Sequence, residues 1–349
     1  MKIAIDSRMS GKSGIGTFLD GILPFLCQSP HDCLLLGLSS LPQGMPPTAK
    51  ALPCPCAIRP FSLKDLLFFP RRLRKAINSC DVFFSPYCNI PAGIRIPVFT
   101  TIHDVVFLDV ASLAGRLGTL LRKLCYRYAV FRSQAIFTVS HFSKSRIIAT
   151  LACKKPVHVV YNGLPAYFSQ PGIAPAKKQG VILFIGNIKK HKGLPTLLEA
   201  FSLFKQHTAA QLVIIGSKDA FRSKDNAVMQ TLTEMDSKDI KFTGYIPDEE
   251  LHSLLAQAKI LVQPSLYEGF GIPPLEALAV GTRAVVSDIP VFREIYQNLP
   301  VTFFKAGNAA DLADKLAEVW QQGNMPPVSI PEQYSYKKTA ERILSVLTT

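Results

Sequence analysis

The chain has 349 residues, 48% of them hydrophobic and 18% charged, more than one core usually organises, which predicts two domains of roughly 170 residues each. Its net charge of +14 is uneven: residues 1–170 hold 20 Lys and Arg against seven Asp and no Glu, whereas the remainder holds 19 against 18. No apolar run reaches the ~18 residues of a membrane-spanning helix, and MKIAIDSRM opens into a strand without the pattern of a cleavable leader, so a cytoplasmic protein is expected. The eight cysteines (27, 33, 54, 56, 80, 88, 125 and 153) are irregularly spaced, and Cys54-Pro-Cys56 lacks a second paired cluster, which predicts neither a zinc site nor a disulfide framework.

In chain order, KIAID (2–6) reads as a strand, and Ser13-Gly14-Ile15-Gly16 after it opens a helix. Gly14 and Gly16 permit close approach of a phosphate or sugar. The loop is shorter than a dinucleotide fingerprint and no ribose-binding acid follows at about 20 residues, which disfavours a nicotinamide dehydrogenase. KDLLFFPRRLRK (64–75) and RLGTLLRKLCYRYAVFR (116–132) interleave cations with Phe, Leu and Tyr, a pattern suited to anionic headgroups. The second segment reads equally as a domain helix whose apolar residues are core. PVFTTIHD (97–104) is an apolar strand ending in His103, which can donate to a sugar hydroxyl or hold an acceptor, or be structural; Asp104 orients local backbone. AIFTVS (135–140) leads to Ser140 and Ser143, the cap of a helix start, with a cleft role for Ser140 as the alternative.

SQPGIAPAKKQG (169–180) reads as an interdomain linker. After the strand VILFIG (181–186), the turn from Asn187 to Gly193 sets Lys189, Lys190 and Lys192 where a diphosphate binds, unless it is a solvated basic turn. QLVIIG (211–216) and residues 240–243 are strands, followed by Gly216–Lys218 and by Gly244-Tyr245-Ile246. AKILVQP (258–264) is a buried strand, and Pro273 and Pro274 open a helix that Gly281 closes. Between them lie Glu268, Gly269, Phe270 and Gly271, where backbone amides and the helix end can receive an anion. Glu268 and Glu276 can grip two sets of hydroxyls; the bland alternative is a helix cap and a solvated first-turn acid. Alternating β-branched runs and helical segments predict α/β domains, doubly wound parallel sheets with ligands beyond the carboxyl ends of strands. No Asp-x-Asp pair or His/acid cluster has metal-ligand spacing, so no metal is expected.

The string PSLYEGFGIPPLEALAVG (264–281) closely resembles the donor-site motif of retaining GT-B glycosyltransferases, the glycosyl transferases group 1 family. Residues 181–201, 212–219, 240–265 and 284–295 resemble successive blocks of that family's C-terminal domain, and the similarity covers nearly all of 156–320. The resemblance implies a GT-B architecture, two Rossmann-like doubly wound domains facing an interdomain cleft. Residues 1–170 then bind the acceptor, 171–330 bind the nucleotide-sugar donor, and 331–349 form a helix packing back toward the N-terminal domain. It further implies transfer of a hexosyl group, with retention, from a nucleoside diphosphate sugar to an acceptor hydroxyl, without metal or cofactor.

By the same resemblance, Glu268 holds the transferred sugar, Glu276 the ribose, and Lys192 with the amides near Gly269–Gly271 the departing diphosphate. Asn187 stands where the family commonly has an Arg, and Lys189 or Lys190 is the candidate replacement. Gly244, Tyr245 and Lys218 are placed near the nucleobase, Gly14 and Gly16 face donor and acceptor, and His103 matches the family's N-terminal histidine motif. Members with very similar GNIKxHK-type blocks often act in surface-polysaccharide assembly, which points to GDP-mannose; UDP-glucose, UDP-N-acetylglucosamine and dTDP-rhamnose stay open. The basic first half points to a lipid-linked or lipopolysaccharide-type acceptor and to peripheral association with the inner membrane face. Nucleic-acid binding is the contrasting reading of that charge, and the tally of cleft motifs argues against it. An inactive donor-binding subunit, suggested by Asn187, and epimerisation or phosphorolysis on the same fold complete the alternatives.

Overall fold

The computed structural model describes residues 1–28, 30–42, 45–110, 113, 115–168, 178–206, 208–216 and 239–349. The chain divides into two units, Met1–Gly163 together with Pro331–Thr349, and Leu164–Ile330.

The first unit is built on β1 (Lys2–Asp6), β2 (Asp32–Leu36), β3 (Ala51–Cys54), β4 (Val82–Ser85), β5 (Val98–Thr101), β6 (Ser133–Thr138) and β7 (Val157–Val159). The second is built on β8 (Val181–Ile185), β9 (Gln211–Ile215), β10 (Ile240–Gly244), β11 (Ile260–Gln263), β12 (Arg283–Ser287) and β13 (Val301–Phe304). The sheet orders are β3-β2-β1-β4-β5-β6-β7 and β10-β9-β8-β11-β12-β13, and every pairing among the described strands is parallel. Central strands such as β4 (VFFS) and β11 (ILVQ) are buried along their whole length, the pattern of a sheet covered on both faces rather than an alternating one. Each sheet grows outward in both directions from its middle. The strand order therefore reverses between β1 and β4 and between β8 and β11, the place beyond the carboxyl ends where doubly wound sheets bind ligands.

Helices form where apolar residues recur at helical spacing. In Leu194–Lys205, Leu194, Leu197, Leu198, Phe201 and Phe204 are buried in one cluster with Leu312 and Leu316 of the helix Ala309–Trp320, each large side chain contributing about 1.5–3 kcal/mol. The C-terminal helix Tyr336–Leu347 packs against Ser13–Gln28 in the first unit. Ser335 caps it by accepting from the Lys338 amide, and Thr339 Oγ1 donates to the Tyr161 carbonyl at 2.5 Å.

That tail is seated against Gly163, where a Cβ would fall 2.2 Å from the Tyr336 backbone nitrogen. Gly163→Ala is therefore expected to destabilise the protein by about 1–3 kcal/mol, read as a lower urea midpoint; an unchanged midpoint would mean that the tail is not held there.

Candidate functional site

In the second unit the loops leaving β8 and β11, the two strands flanking the order reversal, are bound to each other. Lys190–Lys192 form a single helical turn ending at Gly193, which has φ +69°. A Cβ on Gly193 would lie 1.9 Å from the Pro264 carbonyl oxygen, so only glycine fits at this crossing. The His191 carbonyl accepts from the Leu266 amide at 2.7 Å. Lys192 Nζ donates to Glu268 Oε1 at 2.6 Å, with side-chain exposures of 20% and 9%. Ser265 Oγ (2.8 Å) and Gln263 Nε2 (3.4 Å) also donate to Oε1, and among the described residues none donates to Oε2. Burial raises the Glu268 carboxyl, but the Lys192 ammonium and the Ser265 hydroxyl more than offset it, and its pKa falls below the ordinary value. Glu268 is thus a buried anion held through one oxygen, the other having no donor among the described residues. It does not cap the following helix, and Lys192 is not a solvated turn residue.

Glu276 lies on the short helix Pro273–Ala279 and is 5% exposed. No described side chain pairs with its carboxylate. Desolvation, with Asp248 adding repulsion, pushes its pKa up to about 8, so it is not the solvated acid a first-turn position suggests. Within the first turn of the helix itself the amides are spent or missing. Pro273 and Pro274 have no N–H, and the Leu275 and Glu276 amides already donate to the Ile272 carbonyl. Gly269 and Phe270 are buried, and the Gly271 carbonyl accepts from the Tyr296 hydroxyl. His191 is buried and neutral, its pKa lowered to about 4 by desolvation and Lys192.

Around these loops Asn187 is exposed and Lys189 half-buried. Gly244 ends β10 with φ +75°, and Tyr245 beside it is 83% exposed. Lys218 lies outside the described residues. Sequence reasoning did not single out Ser265, Gln263 or Asp248; polar residues closing the otherwise apolar run ILVQPS are the signal that points to the first two.

In the first unit Gly14 and Gly16 lie in the opening turn of Ser13–Gln28, Gly14 exposed and Gly16 buried against the Met9 carbonyl. The loops after β1 and β4 are tied through Asp65: Arg8, which forms a bidentate pair with Asp6 (2.8 and 2.6 Å), reaches Asp65 at 2.8 Å. Asn89 Nδ2 donates to the other oxygen of Asp65 at 2.7 Å. His103 follows β5, its ring edge-on to Phe18 and its Nε2 2.9 Å from the Pro86 carbonyl. A carbonyl only accepts, so Nε2 carries the proton, and desolvation lowers the ring's pKa to about 4. Near neutral pH the remaining Nδ1 is an acceptor, which corrects the expectation that His103 donates to a sugar. Asp104 Oδ1 accepts from the Val106 amide at 3.0 Å, and Ser140 Oγ accepts from the Ser143 amide at 3.0 Å as the cap of His141–Leu151.

Residues 168–338 match the family described as Glycosyl transferases group 1, and residues 13–166 that described as Glycosyltransferase Family 4. The chain is 28% identical over 263 residues to O-antigen chain mannosyltransferase B of Escherichia coli, covering 71% of this chain and 66% of that protein. It is 29% identical over 186 residues to O-antigen chain mannosyltransferase RfbU of Salmonella typhimurium, covering 52% and 50%. The alignments thus span about half to two thirds of these curated relatives. Among solved structures, Anabaena Alr3699/HepE in complex with UDP-glucose matches with TM-score 0.75 and 15% identity, covering 100% of this chain and 99% of that one. Sucrose-phosphate synthase from Thermosynechococcus elongatus matches with TM-score 0.69 and 14% identity, covering 99% and 94%. These likenesses show the fold.

A carboxyl whose pKa rises on folding keeps a proton that the unfolded chain releases. Its burial therefore costs stability progressively from the ordinary carboxyl range up to about pH 8 and nothing in acid. Glu276→Gln is expected to stabilise the protein at pH 8 by a few kcal/mol, since each tenfold change in proton affinity is worth about 1.4 kcal/mol, and the gain is expected to vanish below about pH 4. Lys192→Met, which strands the Glu268 charge, is expected to cost about 3–5 kcal/mol at neutral pH. Denaturant titrations across pH check both.

Proposed function

The chain belongs to the glycosyl transferases group 1 family, with two Rossmann-like units of the GT-B type, and on that premise we propose that it is a retaining, metal-independent hexosyltransferase. Its donor is a nucleoside diphosphate sugar, GDP-mannose, and its acceptor a hydroxyl of a lipid-linked or surface-polysaccharide glycan. The observation that carries this reading is the Lys192–Glu268 pair at the strand-order reversal, with Glu268 Oε2 open and the Glu276 carboxyl unpaired among the described residues. The names of the E. coli and Salmonella relatives support mannose as the sugar and a growing polysaccharide as the acceptor.

Lys192 has three N–H donors, one of them spent on Glu268, so two face a phosphate. As the sugar–phosphate bond breaks, charge collects on the diphosphate, and an ammonium already fixed in place neutralises it without reorganisation. Lys189 supplies a second cation where Asn187 replaces an Arg. Glu268 Oε2 accepts from hexose hydroxyls. Glu276, largely protonated near neutral pH, offers the ribose diol one donor and one acceptor. Tyr245 stacks on the base. In the first unit His103 Nδ1 accepts from a sugar hydroxyl. The acceptor oxygen bonds to the anomeric carbon on the face that the diphosphate leaves, and its proton passes to the departing phosphate oxygen. The configuration is thereby retained with no covalent glycosyl-enzyme.

Thermal unfolding in EDTA with GDP-mannose, UDP-glucose, UDP-N-acetylglucosamine and dTDP-rhamnose tests the donor assignment. The largest upward shift is expected with GDP-mannose; no shift with any nucleotide sugar would refute the reading. Glu276→Ala is expected to weaken donor affinity about tenfold or more, as loss of a hydrogen-bonded partner does. Glu268→Ala is expected to reduce turnover more than affinity, and unchanged turnover would remove Glu268 from the mechanism.

A further inference from the structure

The helix Arg116–Arg132 carries apolar side chains on the side where a surface helix ordinarily carries charge. Its packed side is formed by Tyr126, Ala129 and Val130. At about 100° per residue, Leu117, Leu120, Leu121, Leu124, Tyr128 and Phe131 fall on the opposite side. All six are exposed, from 44% at Tyr128 to 70% at Leu117 and 76% at Phe131. An isolated exposed leucine needs no explanation, but a stripe of six over four turns does. Arg116, Lys123 and Arg127 line one edge of it, and among the described residues none of the three has an ion-pair partner. No acidic residue occurs between Asp109 and Glu199.

A second patch of the same chemistry lies on the same unit. Leu63, Leu67 and Phe68 are 73%, 61% and 75% exposed, beside the exposed Lys64, Arg71 and Arg72. The two segments pack into one core cluster, which contains Ala129 from the long helix and Phe69 and Ile77 from the other.

We propose that the stripe Leu117–Phe131, with its basic edge, is a docking surface for an anionic lipid bilayer, on which the helix lies in the interfacial plane. The charge decides the occupant. Two copies of this chain meeting across the stripe would set the same cations opposite one another, which is repulsive, whereas an anionic surface pairs with the cations and accepts the leucines and Phe131 among its acyl chains. The inference is independent of the donor-site reading. It brings the protein to the surface that holds lipid-linked substrates.

Co-sedimentation of the full chain with vesicles of phosphatidylcholine alone, or mixed with phosphatidylglycerol, tests it. The protein is expected to pellet with the mixed vesicles only, and less so as salt is raised. Leu120→Gln/Leu124→Gln/Phe131→Gln, all exposed positions, is expected to abolish pelleting with an unchanged thermal midpoint. Arg116→Gln, Lys123→Gln and Arg127→Gln probe the same surface without touching apolar packing, each expected to weaken binding about fivefold. Failure of the unaltered protein to pellet with anionic vesicles, or equal binding to both kinds, would overturn the proposal. So would light scattering that shows a dimer lost in the leucine variant, since a second copy would then cover the stripe.

Discussion

Two loops that leave neighbouring strands of the second sheet are held together by one ion pair, Lys192 to Glu268, and the chemistry of the site depends on it. Removing two charges from water costs several kcal/mol per ion, and a buried pair seldom repays this as net stability. Its value lies in position. The left-handed turn at Gly193 and the Leu266–His191 bond bring the loops close enough for the pair to form. Ser265 and Gln263 then load the same carboxylate oxygen, which leaves the other without a hydrogen-bond donor among the described residues.

The first unit repeats this construction with a different balance. There Arg8 joins the loop after β1 to Asp65, and Asn89 from the loop after β4 completes the link, at side-chain exposures of 2% for Arg8 and 0% for Asp65. Arg8 spends donors on Asp6, Asp65 and the Ile58 carbonyl. Four of its five guanidinium N–H groups are thereby engaged. The Lys192 side chain keeps 20% of its surface exposed, and Glu276, buried and without a side-chain partner among the described residues, shares its unit. One architecture thus yields a rigid brace in one sheet and a charge-bearing site in the other.

Much of this was legible in the sequence because the strands are short, β-branched and bounded by glycine. The two sheets, the helix after Gly193 and the loop around Glu268 follow from local pattern. β2, β3, β4, β7 and β13 were not read as strands, and β3 holds Pro53, which the edge of a sheet tolerates. Residues 64–75 read as one amphipathic segment, but Pro70 separates two helices. The partners in the site were not legible, since Lys192 and Glu268 are 76 positions apart and no local rule pairs them. The burial of Glu276 contradicts what its residue type leads one to expect. The tautomer of His103 depends on the distant carbonyl of Pro86. Helix 116–132 is apolar around most of its circumference, so only packing reveals which side faces solvent.

A crystal structure of the protein grown with GDP-mannose tests the central claim most directly. The expected result has the diphosphate on Lys192 Nζ, hexose hydroxyls on Glu268 Oε2 and the ribose on Glu276. A donor bound away from the loops after β8 and β11, with Glu268 Oε2 and Glu276 untouched, would contradict it.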